Sequence, residues 1–209
     1  YHGRDLETAS TLDNKMIYNY LEESIKSLAT HYDSITVIGF SYGGLHLANL
    51  ASNNKIPENA KIILYAPSTY ISSNDWGGFL KVFSYSYIFR NYCNYKNLGC
   101  EYPIYESTDE EGRELLDREI TLRYRVMPAV LAMYMLDRKT RGIIERINRP
   151  FFLIVARDDN RINSEKTLKE CRNNSQCKSI LFSSGKHCIH YGKHKHHFFE
   201  TVRRIATSS

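Results

Sequence analysis

The sequence has 209 residues, of which 42% are hydrophobic and 24% are charged. This length and composition are typical of one globular domain with a sizeable core, and they exclude disordered and fibrous proteins. No apolar run approaches the roughly 18 residues of a membrane-spanning helix, so no transmembrane segment is predicted. The net charge of +5 is spread along the chain, which argues against a nucleic acid as partner.

The first part of the sequence predicts helices and strands in alternation. An amphipathic helix is predicted over residues 13–31, with Asp13 as its N-cap. The short buried strand "SITVIGF" follows, then a helix over "LHLANLAS" and a second strand, "KIILYA", at residues 61–66. The helical spacing of the first element rests on Ile17, Leu21, Ile25 and Leu28.

The last part of the sequence continues the alternation. It predicts the strands "FFLIVA" at residues 151–156 and "SILFS" at 179–183, with a helical stretch around "SEKTLKECRN" between them. A final helix is predicted from Phe198, Val202 and Ile205. Strands that alternate with helices indicate a parallel sheet with helices on both faces, so the predicted fold class is α/β.

Residues 67–149 interrupt this alternation and contain no clear sheet strand. Their helical and aromatic composition, and their place after the second strand, predict a cap over the carboxyl edge of the sheet, where ligands of such sheets bind. The core then comprises residues 1–66 and 150–209. The alternative is a helical layer that serves only the core. The cap residues that are candidates for an apolar substrate pocket are Trp76, Phe79 and Phe83.

The strand that ends in Gly39, Ser41 and Gly43 has the Gly-x-Ser-x-Gly pattern of a nucleophile elbow. Small residues two positions before and after Ser41 allow a tight turn that exposes its hydroxyl. The helix that follows directs its amino end at Ser41, so the backbone N–H of Tyr42 is the candidate oxyanion donor. The alternative is a tight turn with an idle serine. His46, on the same helix, is interpreted as a packed residue.

A nucleophilic serine needs a general base, and the base needs a carboxylate that orients it. In a sheet of this kind both follow later strands, in the sequence order Ser, Asp, His. The third strand is followed by Asp158 and Asp159, and the fourth by "SSGKH", which ends in His187. The sequence therefore predicts a triad of Ser41, His187 and one of these two aspartates.

The motifs "GFSYGG", "ARDDNRI" and "SSGKH", together with "YHGRDLE" at the start, resemble an α/β-hydrolase of the carboxylesterase and monoacylglycerol-lipase type. In that family, two residues and then a branched apolar one follow the acid. The resemblance implies that Asp159 is the acid, because Ile162 occupies the apolar position, whereas Asp158 would have Arg161 there. The family's histidine follows "GK" or "G" after the last strand, which matches His187.

The resemblance implies a serine hydrolase that cleaves carboxylic esters of apolar acyl chains, with a small-molecule acyl ester or a lipid as substrate and no cofactor. A thioesterase or an acyltransferase uses the same triad, so these activities stay open. A relative that keeps the fold and binds ligands without turnover is the alternative from another class.

Five histidines between residues 187 and 197 raise the question of a metal site. No acidic or thiolate partner at ligand spacing accompanies the last three of them, His194, His196 and His197. These three are predicted to lie in the polar first turn of a helix. The segment is therefore interpreted as a solvated basic face, and no metal is predicted.

The five cysteines lie at positions 93, 100, 171, 177 and 188, without paired CxxC spacing, so zinc is not expected. Cys93 with Cys100, and Cys171 with Cys177, have spacings that allow local disulfides in an oxidising compartment. Free thiols, as in the cytosol, are the favoured interpretation. No signal-like segment opens the sequence, and the compartment stays open.

The resemblance also bears on the start of the sequence. The first residue is Tyr1 rather than Met, and Ser41 comes too early for the loop that supplies the family's second oxyanion donor. The segment "YHG" at residues 1–3 better matches the turn after the family's fourth strand. We therefore expect that strands covering the apolar edge of "ITVIGF" belong to the same gene product or to a partner chain.

Overall fold

The computed structural model of the chain describes residues 14–71, 136 and 139–208. These residues form the helices α1 (Asn14–His31), α2 (Tyr42–Ser52), α3 (Ser164–Arg172) and α4 (Lys195–Thr207). They also form the strands β1 (Ile35–Phe40), β2 (Ala60–Tyr65), β3 (Phe151–Ala156) and β4 (Cys177–Phe182). Two short 3-10 helices span Ile144–Arg146 and Ile189–Tyr191. None of these helices is long and apolar enough to cross a membrane.

The four strands form one parallel sheet in the order β1-β2-β3-β4. In the register, Val37 of β1 lies opposite Ile62 of β2, and Ile154 of β3 lies opposite Ile180 of β4. Because neighbouring strands are parallel, their carboxyl ends meet at one edge of the sheet, where the loops after all four strands come together. The predicted α/β class with a parallel sheet is confirmed.

The predicted elements agree with the observed ones to within a few residues. The strand predicted at 61–66 is β2, and the strand predicted at 179–183 is β4, which begins at Cys177. Helix α2 begins at Tyr42, directly after Ser41, so it starts at the turn as predicted and includes "LHLANLAS".

The core lies between the sheet and the helices that pack on it. β2 and β3 are buried along most of their length, as expected for central strands of a parallel sheet. Leu45 and Leu50 of α2 are buried completely. Of the three residues that predicted α4, Phe198 and Ile205 are buried, and Val202 is partly buried against the core. Burying one such side chain contributes about 1.5–3 kcal/mol, so this packing fixes where the strand ends lie.

The apolar stripe of α1 is only partly buried. Ile25 is buried and Leu21 packs against the core, but Leu28 is 51% exposed. α1 packs against α2 and β1, so its buried stripe is narrower than the predicted four positions. The predicted N-cap of this helix, Asp13, lies outside the described residues.

Strand β1 lies at one edge of the described sheet. Ile38 at this edge is 45% exposed. An apolar cleft beside β1 is lined by Leu21, Val37, Phe40 and Leu47, which come from β1 and the two helices that flank it. The expectation that further strands cover this edge stays a prediction.

Most of the predicted cap, residues 72–135, lies outside the described residues, and so do Trp76, Phe79 and Phe83. The chain leaves the sheet after β2 through Tyr70 and Ile71. Ile71 forms an isolated antiparallel bridge with Ile162, in the loop after β3. The backbone N–H of Asn163 also donates to the carbonyl of Tyr70, at 2.7 Å. The residues that enter the predicted cap are therefore fixed to the loop after β3.

Glu170 of α3 binds the residues on both sides of the segment 72–135. Its carboxylate is buried and accepts hydrogen bonds from the Tyr70 hydroxyl, the Gly142 N–H (2.7 Å) and the Ile144 N–H (3.1 Å). Burial and the nearby Glu170 raise the pKa of Tyr70 to about 12, so its hydroxyl keeps the proton that it donates. A buried carboxylate is stable only with such donors, so these contacts tie the residues on both sides of 72–135 to one helix.

Cys171 and Cys177 form a disulfide between the end of α3 and the start of β4. The favoured interpretation of free thiols is therefore wrong for this pair, since the spacing allowed the bond but could not show that the two Cα atoms lie 5.4 Å apart. Within the described residues, Cys188 is not part of a disulfide. Cys93 and Cys100 lie outside the described residues.

Candidate active site

Ser41 occupies a sharp turn between β1 and α2. Its backbone has φ 52° and ψ −116°, a conformation that residues other than glycine rarely adopt. Three backbone hydrogen bonds hold it: its N–H donates to the Tyr65 carbonyl (2.9 Å), and its carbonyl accepts from the N–H groups of Leu45 (3.1 Å) and Ser68 (3.0 Å). The strained turn is therefore fixed by the neighbouring strand and by the first turn of α2.

Two glycines allow this turn to close. A Cβ on Gly39 would lie 2.7 Å from the Gly44 Cα, and a Cβ on Gly44 would lie 2.8 Å from the Gly39 carbonyl oxygen and 3.1 Å from the Pro67 Cα. Within the described part of the chain, nothing lies within 4 Å of a Cβ on Gly43. The prediction that Gly43 is the packed glycine is wrong, because Gly44 is the one that faces the strand and Pro67.

The side chains of Ser41, His187 and Asp159 form a continuous hydrogen-bonded chain. His187 Nε2 lies 2.9 Å from Ser41 Oγ, and His187 Nδ1 lies 2.9 Å from Asp159 Oδ2. The Asp159 side chain is fully buried and the His187 side chain is 12% exposed. The structure thus brings together a hydroxyl, an imidazole and a carboxylate from the loops after β1, β4 and β3, which is the geometry of a nucleophile, a base and an orienting acid.

The loop after β3 distinguishes the two adjacent aspartates. Asp159 Oδ1 accepts hydrogen bonds from the N–H groups of Arg161 (2.8 Å) and Ile162 (3.1 Å), which leaves Oδ2 directed at His187. Ile162 is buried, so the apolar position that favoured Asp159 anchors this tight loop. Asp158 is exposed. Of the two, Asp159 is therefore the one that contacts the imidazole.

Tyr65, the last residue of β2, belongs to no motif in the sequence but lies beside this site. Its buried hydroxyl lies 3.0 Å from the His187 carbonyl oxygen, to which it donates, and 2.9 Å from His190 Nδ1. One hydroxyl proton serves one acceptor, so Nδ1–H of His190 donates to the Tyr65 oxygen. Burial raises the pKa of Tyr65, and burial followed by the neighbouring His187 lowers the pKa of His190. Tyr65 therefore stays a protonated donor that holds the loop of His187.

Ser68 is a second residue beside this site that no sequence motif marks. This residue follows Pro67 after β2 and is 3% exposed. Its hydroxyl lies 3.1 Å from Ser41 Oγ. The signal that would have found both residues is the sheet order, because β2 is the neighbour of β1 and its carboxyl end must lie beside Ser41.

Tyr42 and His46 lie on α2 directly behind the turn. The backbone N–H of Tyr42 is the first N–H of the helix. The side-chain hydroxyl of Tyr42 donates to Asn14 Oδ1. His46 is 1% exposed, packs edge-on against the Tyr42 ring at 4.6 Å, and has no hydrogen-bond partner among the described residues. Burial lowers the pKa of His46 to about 4, so it is a neutral packed residue, as interpreted from the sequence.

The histidines after β4 differ in their surroundings. His190 packs against Tyr65, while His194 contacts the Ser184 hydroxyl at 2.7 Å through Nε2. His196 and His197 are exposed in the first turn of α4, although the ring of His197 lies 5.2 Å from that of Phe182. In residues 14–71, 136 and 139–208, no group of three His, Cys, Asp or Glu side chains is arranged to hold a metal ion.

No protein-family model matches the chain, and no curated protein matches it in sequence. Many solved structures are similar to it in fold. An esterase from Exiguobacterium antarcticum superimposes with a TM-score of 0.68 at 16% identity, covering 96% of this chain and 76% of the esterase. A monoacylglycerol lipase from Paleococcus ferrophilus gives 0.62 at 13% identity, covering 95% and 77%.

A soluble variant of the monoglyceride lipase from Saccharomyces cerevisiae, in complex with a substrate analogue, has a TM-score of 0.64 at 14% identity, covering 94% of this chain and 71% of the lipase. At identities this low, the structural similarity establishes only the fold, and any activity has to be inferred from the site itself. The chain has the α/β-hydrolase fold, and the structures to which it is similar include esterases and monoacylglycerol lipases. The fold implied by the sequence motifs is confirmed.

Proposed function

We propose that the chain is a serine hydrolase that cleaves carboxylic esters of apolar acyl chains. The observation that carries this proposal is the hydrogen-bonded path from Asp159 Oδ2 through both ring nitrogens of His187 to Ser41 Oγ, with each contact at 2.9 Å. Such a path is required to move a proton away from a serine hydroxyl, which is a poor nucleophile at neutral pH. Packing within the core alone does not require it.

In the proposed reaction, Ser41 Oγ attacks the carbonyl carbon of the ester while its proton passes to His187 Nε2. The negative charge that develops on the carbonyl oxygen is stabilised by the N–H of Tyr42 and by the amino end of α2. The ester C–O bond then breaks, and the leaving alcohol takes the proton from His187. An acyl group remains on Ser41.

A water molecule completes the reaction by attacking the acyl carbon. His187 takes a proton from this water and returns it to Ser41 Oγ as the acyl bond breaks, so the products are one carboxylic acid and one alcohol. Asp159 keeps the proton of the imidazole on Nδ1 and stabilises the imidazolium that forms in each half of the reaction. Its burial strengthens this interaction, because little water screens it.

The division into a core, residues 1–66 and 150–209, and a cap, residues 67–149, is part of the same proposal. The contacts of Glu170 and of Ile71 support it, because they fix the exit and return of the cap segment next to the loop that carries Asp159. Trp76, Phe79 and Phe83 are proposed to contact the acyl chain. The esterases and lipases with the same fold support an ester as the substrate.

A fluorophosphonate probe tests the reactive serine. We expect the wild-type chain to be labelled at Ser41 and the Ser41→Ala variant to be unlabelled, with turnover of p-nitrophenyl esters lower by a factor of about 10³ to 10⁶. Ser34→Ala is the matched control, because Ser34 is exposed just before β1. Absence of labelling in a folded wild-type chain would overturn the proposal.

A series of p-nitrophenyl esters of increasing acyl length tests the substrate class. We expect kcat/KM to rise with acyl length, because each methylene buried from water contributes about 0.8 kcal/mol. An acyl-thioester of the same chain length is the comparison, and preferential cleavage of the thioester would replace the esterase assignment by a thioesterase. A flat profile would contradict an apolar acyl site.

A further inference from the structure

A second hydroxyl touches the proposed nucleophile. Ser68 Oγ lies 3.1 Å from Ser41 Oγ, and the backbone N–H of Ser68 donates to the Ser41 carbonyl at 3.0 Å. Ser68 is 3% exposed, so bulk water does not compete for this contact. The two residues are thus joined through both the main chain and the side chains.

The direction of this hydrogen bond follows from counting protons. Asp159 accepts at both oxygens, so His187 Nδ1 carries the proton that it donates to Oδ2. In a neutral imidazole the other nitrogen, Nε2, is then an acceptor, and its neighbour Ser41 must donate to it. Because the Ser41 hydroxyl has one proton, its contact with Ser68 leaves Ser68 as the donor.

We infer that Ser68 is a further catalytic residue, which donates a hydrogen bond to Ser41 Oγ while that oxygen carries charge. This inference rests on the proposed function. A serine oxygen has two lone pairs, so one attacks the carbonyl carbon while the other accepts from Ser68. The hydrogen bond strengthens as the proton leaves for His187. It strengthens again in deacylation, when Ser41 Oγ is the leaving group.

Backbone contacts position this donor beside Ser41. The hydrogen bond from the Ser68 N–H to the Ser41 carbonyl, together with the fixed φ of Pro67 before it, restricts the movement of Ser68 relative to Ser41. Within the described residues, Ser41 Oγ is the side-chain partner of the Ser68 hydroxyl. Hydrogen bonds to charged groups are about twice as strong as those between neutral groups, so the donor favours the charged state of Ser41 over its resting state.

The experiment compares three variants of the full chain. Ser68→Ala removes the donor, and Ser68→Thr keeps a hydroxyl. Thr69→Val removes the neighbouring buried hydroxyl, which contacts Thr167 Oγ1 at 3.2 Å and lies outside the proposed machinery. The readouts are the second-order rate constant of labelling by a fluorophosphonate, kcat and KM on a p-nitrophenyl ester, and the melting temperature.

We expect Ser68→Ala to slow labelling and lower kcat by about 10- to 100-fold, with KM and the melting temperature close to wild type. Ser68→Thr should recover part of the rate, and Thr69→Val should match wild type. If wild type reacts and Ser68→Ala reacts within two-fold of it or faster, the inference is wrong while the proposed function stands. Equal losses in Ser68→Ala and Thr69→Val would reduce Ser68 to a packing role. A wild type that does not react overturns the proposed function itself.

Discussion

The proposed nucleophile and its two partners meet at one sheet edge but are held there by different physical means. Ser41 is held by the backbone, through the close approach of Gly39 to Gly44 and a strained turn. Asp159 and His187 are held by hydrogen bonds, from two N–H groups after β3 and from the Tyr65 hydroxyl at the end of β2.

This difference separates stability from activity. A methyl group added at Gly39 or Gly44 has no space to occupy, so it should disturb the packing of β1 against α2. A polar atom exchanged in the loops of Asp159 or His187 leaves the packing intact and changes only where protons lie. Mutations in the two regions should therefore affect different measurements.

The largest effect is expected from Asp159→Asn in the hydrogen-bonded region. The amide oxygen still accepts from Arg161 and Ile162, but its NH₂ group donates to His187 Nδ1 and leaves the imidazole proton on Nε2. The wrong tautomer should lower kcat by a factor of about 10⁴, with little change in far-UV circular dichroism. The exposed Asp158→Asn is the control. A loss below ten-fold would show that Asp159 does not orient the base.

Among changes to the turn around Ser41, Gly39→Ala should lower the free energy of unfolding most. Its Cβ would lie 2.7 Å from the Gly44 Cα, so the strand and helix must separate, at an expected loss of about 3 kcal/mol in the free energy of unfolding. Gly43→Ala is the matched control and should stabilise the chain by up to about 1 kcal/mol, because it lies in helix α2. Urea denaturation measures both. Equal stabilities would contradict the packing account.

His46 tests whether the helix behind the elbow depends on pH. The pKa of His46 falls from 6.5 unfolded to about 4 folded, so the unfolded state binds more protons between these values. Stability should therefore decrease as the pH falls from about 6.5 to about 4, by up to about 3 kcal/mol from this group. His46→Leu should remove this pH-dependent part of the free energy of unfolding. A smaller pH-dependent part should remain from His190, whose pKa is also lowered. An unchanged pH profile in urea denaturation would refute the assignment.

The smallest effect is expected from Tyr65→Phe. This change keeps the ring in the core and removes the hydroxyl that holds the His187 carbonyl and His190. The loss of one buried donor should lower kcat about ten-fold, or about 1.4 kcal/mol in the activation barrier, while KM stays near wild type. Phe198→Leu, a buried change near the same ring, is the control for packing. Equal kinetics of Tyr65→Phe and wild type would remove Tyr65 from the site.

The order of strands and helices was predictable because central parallel strands are continuous apolar runs and the helices carry apolar stripes. Ser41, Asp159 and His187, which the structure brings into contact, were named from motifs at strand ends. The choice of Asp159 depended on Ile162, whose burial has a physical reason in the tight turn of that loop.

Tyr65 and Ser68 were not predicted because no motif marks them. Their place beside Ser41 arises from the pairing of β1 with β2, which is a long-range property. That Gly44 rather than Gly43 is the tightly packed glycine has a similar origin, since it depends on where Pro67 passes the helix. The bonded state of Cys171 and Cys177 likewise requires the distance between their backbones.

The contacts of Glu170 have an evolutionary consequence. One buried carboxylate binds Tyr70 before residues 72–135 and Gly142 and Ile144 after them, so the two flanks of that segment are held by the same side chain. A segment of another length can then replace residues 72–135 without moving the loops of Ser41, Asp159 and His187. The sequence of that segment is thereby free to change without altering the contacts among these three residues.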